Sequence, residues 1–235
     1  SANMLKAINP VLGKSAGANN KQLLVKSTMF GAKYASALYL IIAIPMFIEA
    51  PYILQLWLKN VPEWTIIFVR FQLIKTFIEF QFSTLPKSIY ATGKIKKYSF
   101  YSGLSNILQI PIMFIFFKVG CPPYFMYIST IIFGNLIVYI IAFYYSHKNY
   151  DLSLNQYASF VLLPIYSSLT ITLITIHFLK SLVITNNIYS LAIIIILSIL
   201  IFGLLFIKCL SKEEKIMITN IKKLIVNKIK NHATT

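Results

Sequence analysis

"LAIIIILSILIFGLLFI", residues 191–207, decides what kind of protein this is. It contains one hydroxyl, Ser198, and no charge, so no rotation of a helix through it offers water a polar face. With its flanks it reaches the roughly 20 apolar residues that cross a bilayer. A helix is the credible conformation, because a single segment in lipid must satisfy its own backbone. The rest of the chain is similar. Its 235 residues are 57% hydrophobic and 12% charged, with mean hydropathy +0.72, against about 25% charged residues in a soluble domain.

Working back from that run, the same reading gives six spans. The other five cover about Tyr34 to Trp57, Thr65 to Tyr90, Tyr98 to Phe117, Tyr124 to Tyr145, and Tyr157 to Leu179, and the sixth covers Ile188 to Ile207. The first carries Pro45 and Pro51 inside it, with Glu49 placed to cap or hinge a broken helix or to face the mouth of a cavity. Short turns join the spans: "KNVPEW" (59–64), "TGKIKK" (92–97) and "VGCPPY" (119–124). Residues 146–156 form the longest polar link. Alternating segments of strand length are absent. The expected fold is therefore an all-α integral membrane protein.

The lysines give the orientation. The stretches at 1–33, 87–97, 148 and 208–230 hold seventeen, and the three alternate connections hold Lys59, Lys118 and Lys180. Cytoplasmic connections are enriched in Lys and Arg, which puts both ends in the cytoplasm. The balance of 22 Lys+Arg against 6 Asp+Glu thus reads as topology and attraction to anionic membrane lipids. No basic motif interleaved with aromatics points to nucleic acid. Cys121 and Cys209 are far apart, and His147, His177 and His232 are scattered, so neither a disulfide nor a metal site is expected. No nucleophile–base pair or phosphate loop suggests an enzyme or a cofactor.

Three parts follow. Residues 1–33 read as the end of a preceding helix and a cytoplasmic connection, since "SANMLKAINP" has neither the charged region nor the cleavage site of a signal peptide. Residues 34–209 are the six-span unit. Residues 210–235 are a basic tail in which Met217, Ile218, Ile221, Leu224, Ile225 and Ile229 line one face and lysines the other, with Ser211, Glu213 and Glu214 at its start. That pattern is an amphipathic helix on the cytoplasmic leaflet, either a plain anchor or a regulatory segment.

The second span is the unusual one. "FVRFQLIKTFIEFQFSTLPK" (68–87) carries Arg70, Lys75 and Glu79. A central charge costs about 2.5–3.5 kcal/mol, so three cost roughly 7–10. The dozen Ile, Leu, Phe and Val residues between 65 and 85 return roughly 4–7 kcal/mol. Such a helix must turn its polar side to a cavity or to other helices. Gln72, Lys75, Glu79, Ser83 and Lys87 share one sector, and Lys75 and Glu79 are spaced to pair. The pair either locks helix packing or walls a substrate path. Arg70 and Gln81 point elsewhere, and Arg70 lies near the outer end, within reach of the headgroups. Asn106 and Gln109 share a face of the third span, bonding a neighbour or lining the same path.

Several stretches are similar to the multidrug/oligosaccharidyl-lipid/polysaccharide exporter superfamily. "INPVLGKSAGANN" (8–20) resembles the segment after one of its even-numbered helices. "PMFIEAPYILQLWLKNVPEWTIIFVRFQLI" (45–74) and "IYATGKIKKYSFYSGLSNILQIPIMFIFFKVGCPP" (89–123) resemble its polysaccharide branch. The resemblance covers about residues 8–123. It implies a two-lobed flippase of twelve or fourteen helices, this chain supplying one six-helix lobe as the carboxy-terminal half of a fourteen-helix member. It further implies translocation of a lipid-linked oligosaccharide of the undecaprenyl-pyrophosphate type across the bacterial inner membrane, as in polysaccharide and O-antigen biosynthesis. The partner lobe would be the amino-terminal half of the same transporter. Lys75 and Arg70 would then meet the pyrophosphate, and Gln72 and Asn106 the sugars. A cation-coupled drug antiporter with Glu79 as carrier, and a structural subunit without transport, are the alternatives.

Overall fold

The computed structural model describes residues 2–58, 60–182, 188–211 and 214–216. Among these residues there are helices, π-helical segments and turns, and no strand. The helices are α1 (Ala2–Gly17), α2 (Lys21–Ile48), α3 (Ala50–Leu58), α4 (Thr65–Phe82), α5 (Thr84–Ala91), α6 (Lys96–Lys118), α7 (Phe125–Ser129), α8 (Val138–Tyr150), α9 (Leu154–Tyr157), α10 (Leu163–Leu182) and α11 (Ile188–Lys208). The amphipathic tail read from 217 onward lies outside the described residues.

Among the described residues, five stretches are long and apolar enough to cross a membrane: Lys21–Ile48, Lys96–Lys118, Phe125–Tyr150, Leu154–Lys180 and Tyr189–Lys208. The protein is therefore an all-α membrane protein. The segment expected as the second span forms helices α4 and α5, but three charges in the 18 residues of α4 keep it out of that group.

Local sequence explains where the helices start and break. The Asn20 side chain accepts from the Leu23 amide at 3.0 Å, capping α2. The first span therefore begins at Lys21, well before the expected Tyr34. Its 28 residues extend about 42 Å, beyond the roughly 30 Å of hydrocarbon, so its first turns reach past the lipid core. The span breaks at Glu49 because Pro51 has no N–H to give the Phe47 carbonyl. A second break, at Ser83, precedes Pro86. A π-helical segment, Ala158–Leu162, precedes Pro164, whose ring crowds the Phe160 carbonyl and widens the turn. A second π-helical segment, Thr130–Ile137, has no proline. Gly93 (φ 73°) and Gly120 (φ 84°) end α5 and α6 in the left-handed conformation that glycine adopts without strain.

The bundle is organised around α2, which packs against α1, α4, α5, α8, α10, α11 and the 158–162 segment. Small residues make this closeness possible: Ala32, Ala35, Ser36 and Ala37 are buried along α2. Gly31 is the tightest point, since a Cβ there would lie 2.6 Å from Ile8 Cδ1 and 2.9 Å from Thr84 Cγ2. The core gathers Leu12, Leu24, Leu85, Ile89, Tyr150 and Phe202. By contrast α6 packs against α7, α8 and the 130–137 segment, and Ile107, Ile110 and Phe114 stand exposed where a bilayer would cover them. One end of the bundle holds Lys21, Lys94 and Asp151, and is called the basic end. The other, where Trp64 meets Tyr124 at 5.6 Å between ring centroids, is called the aromatic end.

Candidate functional site

The polar side of α4 forms as its spacing requires. Lys75 Nζ lies 2.7 Å from Glu79 Oε1, with side chains 21% and 37% exposed. Gln72, which is exposed, donates to Thr76 Oγ1 at 3.1 Å. Neighbouring helices hold this stretch through its carbonyls: Tyr39 of α2 donates to Leu73 O at 3.0 Å, and Asn135 of the 130–137 segment donates to Lys75 O at 3.4 Å. The result is a partly open ion pair on a firmly packed helix.

The remaining expected residues lie elsewhere. Ser83 sits at the α4–α5 break, where its hydroxyl, Gln81 Nε2 and Thr84 Oγ1 are buried without a protein partner. Gln109 donates to Thr130 Oγ1 at 2.7 Å. A Cβ on Gly134 would lie 3.1 Å from Gln109 Oε1 and 3.7 Å from Asn106 Oδ1, so this pair addresses the 130–137 segment. Arg70 turns to the α2–α3 break. Its Nε donates to Phe47 O at 3.4 Å, and the guanidinium lies 5.5 Å from the Phe47 ring centroid. It thereby meets the carbonyl that Pro51 leaves open. The seven residues thus form separate groups, with Lys75, Glu79 and Gln72 as the nucleus.

Among the described residues, three ion pairs join distant parts of the chain. Lys33 of α2 is 1% exposed and bonds both oxygens of Glu214, at 2.9 and 2.8 Å, whose side chain is 0% exposed. Tyr34 donates to the same carboxylate at 3.2 Å. The Lys33 ammonium also lies 4.4 Å from the Phe160 ring centroid. Glu214 is in addition half of a capping box: it accepts from the Ser211 amide at 2.8 Å, and Ser211 Oγ accepts from the Glu214 amide at 3.3 Å. Burial pushes the Glu214 carboxyl up, but Lys33 and the Ser211 groups outweigh it and hold the carboxyl below the ordinary range. At the aromatic end Lys180 donates to Glu49, which is 7% exposed on its side chain, at 2.6 Å. At the basic end Lys21 pairs with Asp151 at 2.8 Å, and that hydrogen bond lowers the Asp151 pKa.

Lys33 counts in sequence only as one of the basic residues ahead of the first span. The signal for its partner was Ser211-x-x-Glu214, a capping-box spacing.

Comparison of the chain with protein-family models, curated proteins and solved structures finds no match.

Proposed function

We propose that the chain is the carboxy-terminal half of a fourteen-helix exporter of the polysaccharide branch, flipping a lipid-linked oligosaccharide across the bacterial inner membrane by alternating access. In this reading α4 and α5 together make the second span and bring the total to six, both ends are cytoplasmic, and the basic end faces inward. The carrying observation is the Lys75–Glu79 pair, left part-exposed on a helix too charged to face lipid alone. A second lobe enclosing a watery cavity would cover that side. The protein then binds and moves its cargo and performs no covalent chemistry.

The test is complementation of a flippase-deficient bacterium with the full-length protein. Surface polymer is expected with the parent sequence and to fall with Lys75→Ala. Full polymer with Lys75→Ala would overturn the role given to this pair. Cation-dependent drug efflux lost on Glu79→Gln would replace flipping with antiport.

A further inference from the structure

A cavity of about 630 Å³ opens at the aromatic end between α2, α4 and α10. Arg70, His177 and Lys180 supply its polar wall. Phe47 and Leu173 belong to its apolar wall, and both also line a narrower cavity of about 130 Å³. That second cavity is apolar throughout, with Leu40, Ile44, Ile74, Phe77 and Leu169 among its walls. From Phe47 back to Leu40 along α2 is about 10 Å at 1.5 Å per residue. A basic mouth and an apolar slot thus adjoin at Phe47 and Leu173, and the slot extends along α2 to Leu40.

The charges at the mouth do not cancel. Glu49 is held by Lys180 at 2.6 Å and supplies one negative charge. Arg70 and Lys180 supply two positive ones, and His177 is exposed beside them. Arg70 uses one of its five N–H donors on Phe47 O, and its others meet no acceptor among the described residues. A small anion would satisfy the mouth and leave the slot unused. A hydrocarbon would fill the slot and leave the guanidinium without a counter-ion. An amphiphile with an anionic head satisfies both.

We infer that this is a binding site for an anionic phospholipid of the leaflet at the aromatic end. Its phosphate rests on Arg70 and His177, beside Lys180, and the first part of one acyl chain enters the slot. The inference requires only that the bundle spans a bilayer and does not rest on the transport reading.

The experiment uses the full-length protein, purified and exchanged into neutral detergent, with bound lipid counted by native mass spectrometry. The probes are phosphatidylglycerol and phosphatidylcholine with identical acyl chains. One phosphatidylglycerol is expected to stay bound where phosphatidylcholine does not. His177→Glu, at an exposed position, cancels the net positive charge of the mouth without touching the core and should weaken retention about tenfold. Ile74→Trp fills the slot from a part-exposed position and should weaken it with every charge intact. Arg70→Gln should weaken it most, and His177→Glu decides the matter if that variant fails to fold. Equal retention of the two lipids, or phosphatidylglycerol retention unchanged by His177→Glu, would overturn the site. Displacement by glycerol phosphate as effective as displacement by whole lipid would overturn the part played by the slot.

Discussion

Replacing Glu214 by Gln leaves the shape of the site nearly intact and removes one charge, which isolates what the Lys33–Glu214 pair contributes. The carboxylate serves Lys33 twice, Tyr34 once and the Ser211 amide once. A carboxamide keeps one oxygen, which can accept from two of these donors, and leaves a buried ammonium without its counter-charge. Breaking a buried pair in this way costs about 3–5 kcal/mol. Glu214 is where these bonds meet, so the cost falls on this junction, the contacts of Ser211 and residues 214–216 with Lys33 and Tyr34. A loss of about 3 kcal/mol raises the open population of the junction roughly 150-fold. Hydrogen exchange of the full-length protein reads this directly, because the Ser211 amide is bonded to Glu214 and the Lys215 amide to Ser211 O. Exchange at 211–216 should accelerate by that order, while α4 is unaffected. Lys33→Met/Glu214→Met should recover much of the protection, since apolar replacement of a whole buried pair is often neutral. Parental exchange in Glu214→Gln, or a double variant as open as the single one, would refute this reasoning.

The same junction has a defined acid limit. Glu214 titrates below its ordinary value of 4.5 in the folded protein, so its contribution is fully present above that value and is lost as pH falls through the lower folded one. Rate-corrected exchange at 211–216 should be flat from neutral pH down to about 5 and rise below about 4.5. Gly31→Ala must displace Ile8 or Thr84, and is expected to cost about 1–3 kcal/mol, visible as a lower Tm. Tyr157→Phe removes the hydroxyl that donates to Gln81 O beside the α4–α5 break. It should destabilise by about 1–3 kcal/mol and speed exchange in α5. If the proposal holds, cysteines placed at 75 and 79 in the full-length protein in membranes should react with a small aqueous thiol reagent, and cysteines at 107 and 110, on the exposed apolar side of α6, should not. Unreactive positions 75 and 79 would remove the watery cavity from the proposal.

The helical course of the chain was legible because apolar runs and prolines leave local marks. The break at Glu49 follows from Pro51, and the pairing of Lys75 with Glu79 from their spacing of four residues. The start of α2 was missed because the lysines at 21, 26 and 33 read as a loop, whereas Asn20 caps a helix there and Ser27 bonds back to Leu23 O at 2.7 Å. The 130–137 segment was not legible: "TIIFGNLI" has no proline, and tertiary contacts such as Gln109 to Thr130 accompany its wider turns. The separation of Arg70 from Lys75 was half legible, since the helical wheel placed them on different sides but not against Phe47. Least legible was Lys33 with Glu214, separated by 181 positions. No periodicity links residues so far apart, and a lysine near the start of a span is ordinarily read as a headgroup contact.

Glu49 caps the end of α2 and Lys33 lies near its middle, and each is bonded to the carboxy-terminal part of the chain: Glu49 to Lys180 at the end of α10, Lys33 to Glu214 just after α11. The helix is thus riveted twice to the last two spans. Any displacement that parted them would have to rupture two ionic contacts, one of them fully buried. The transport cycle proposed above would have to carry α2, α10 and the end of α11 together or break both contacts.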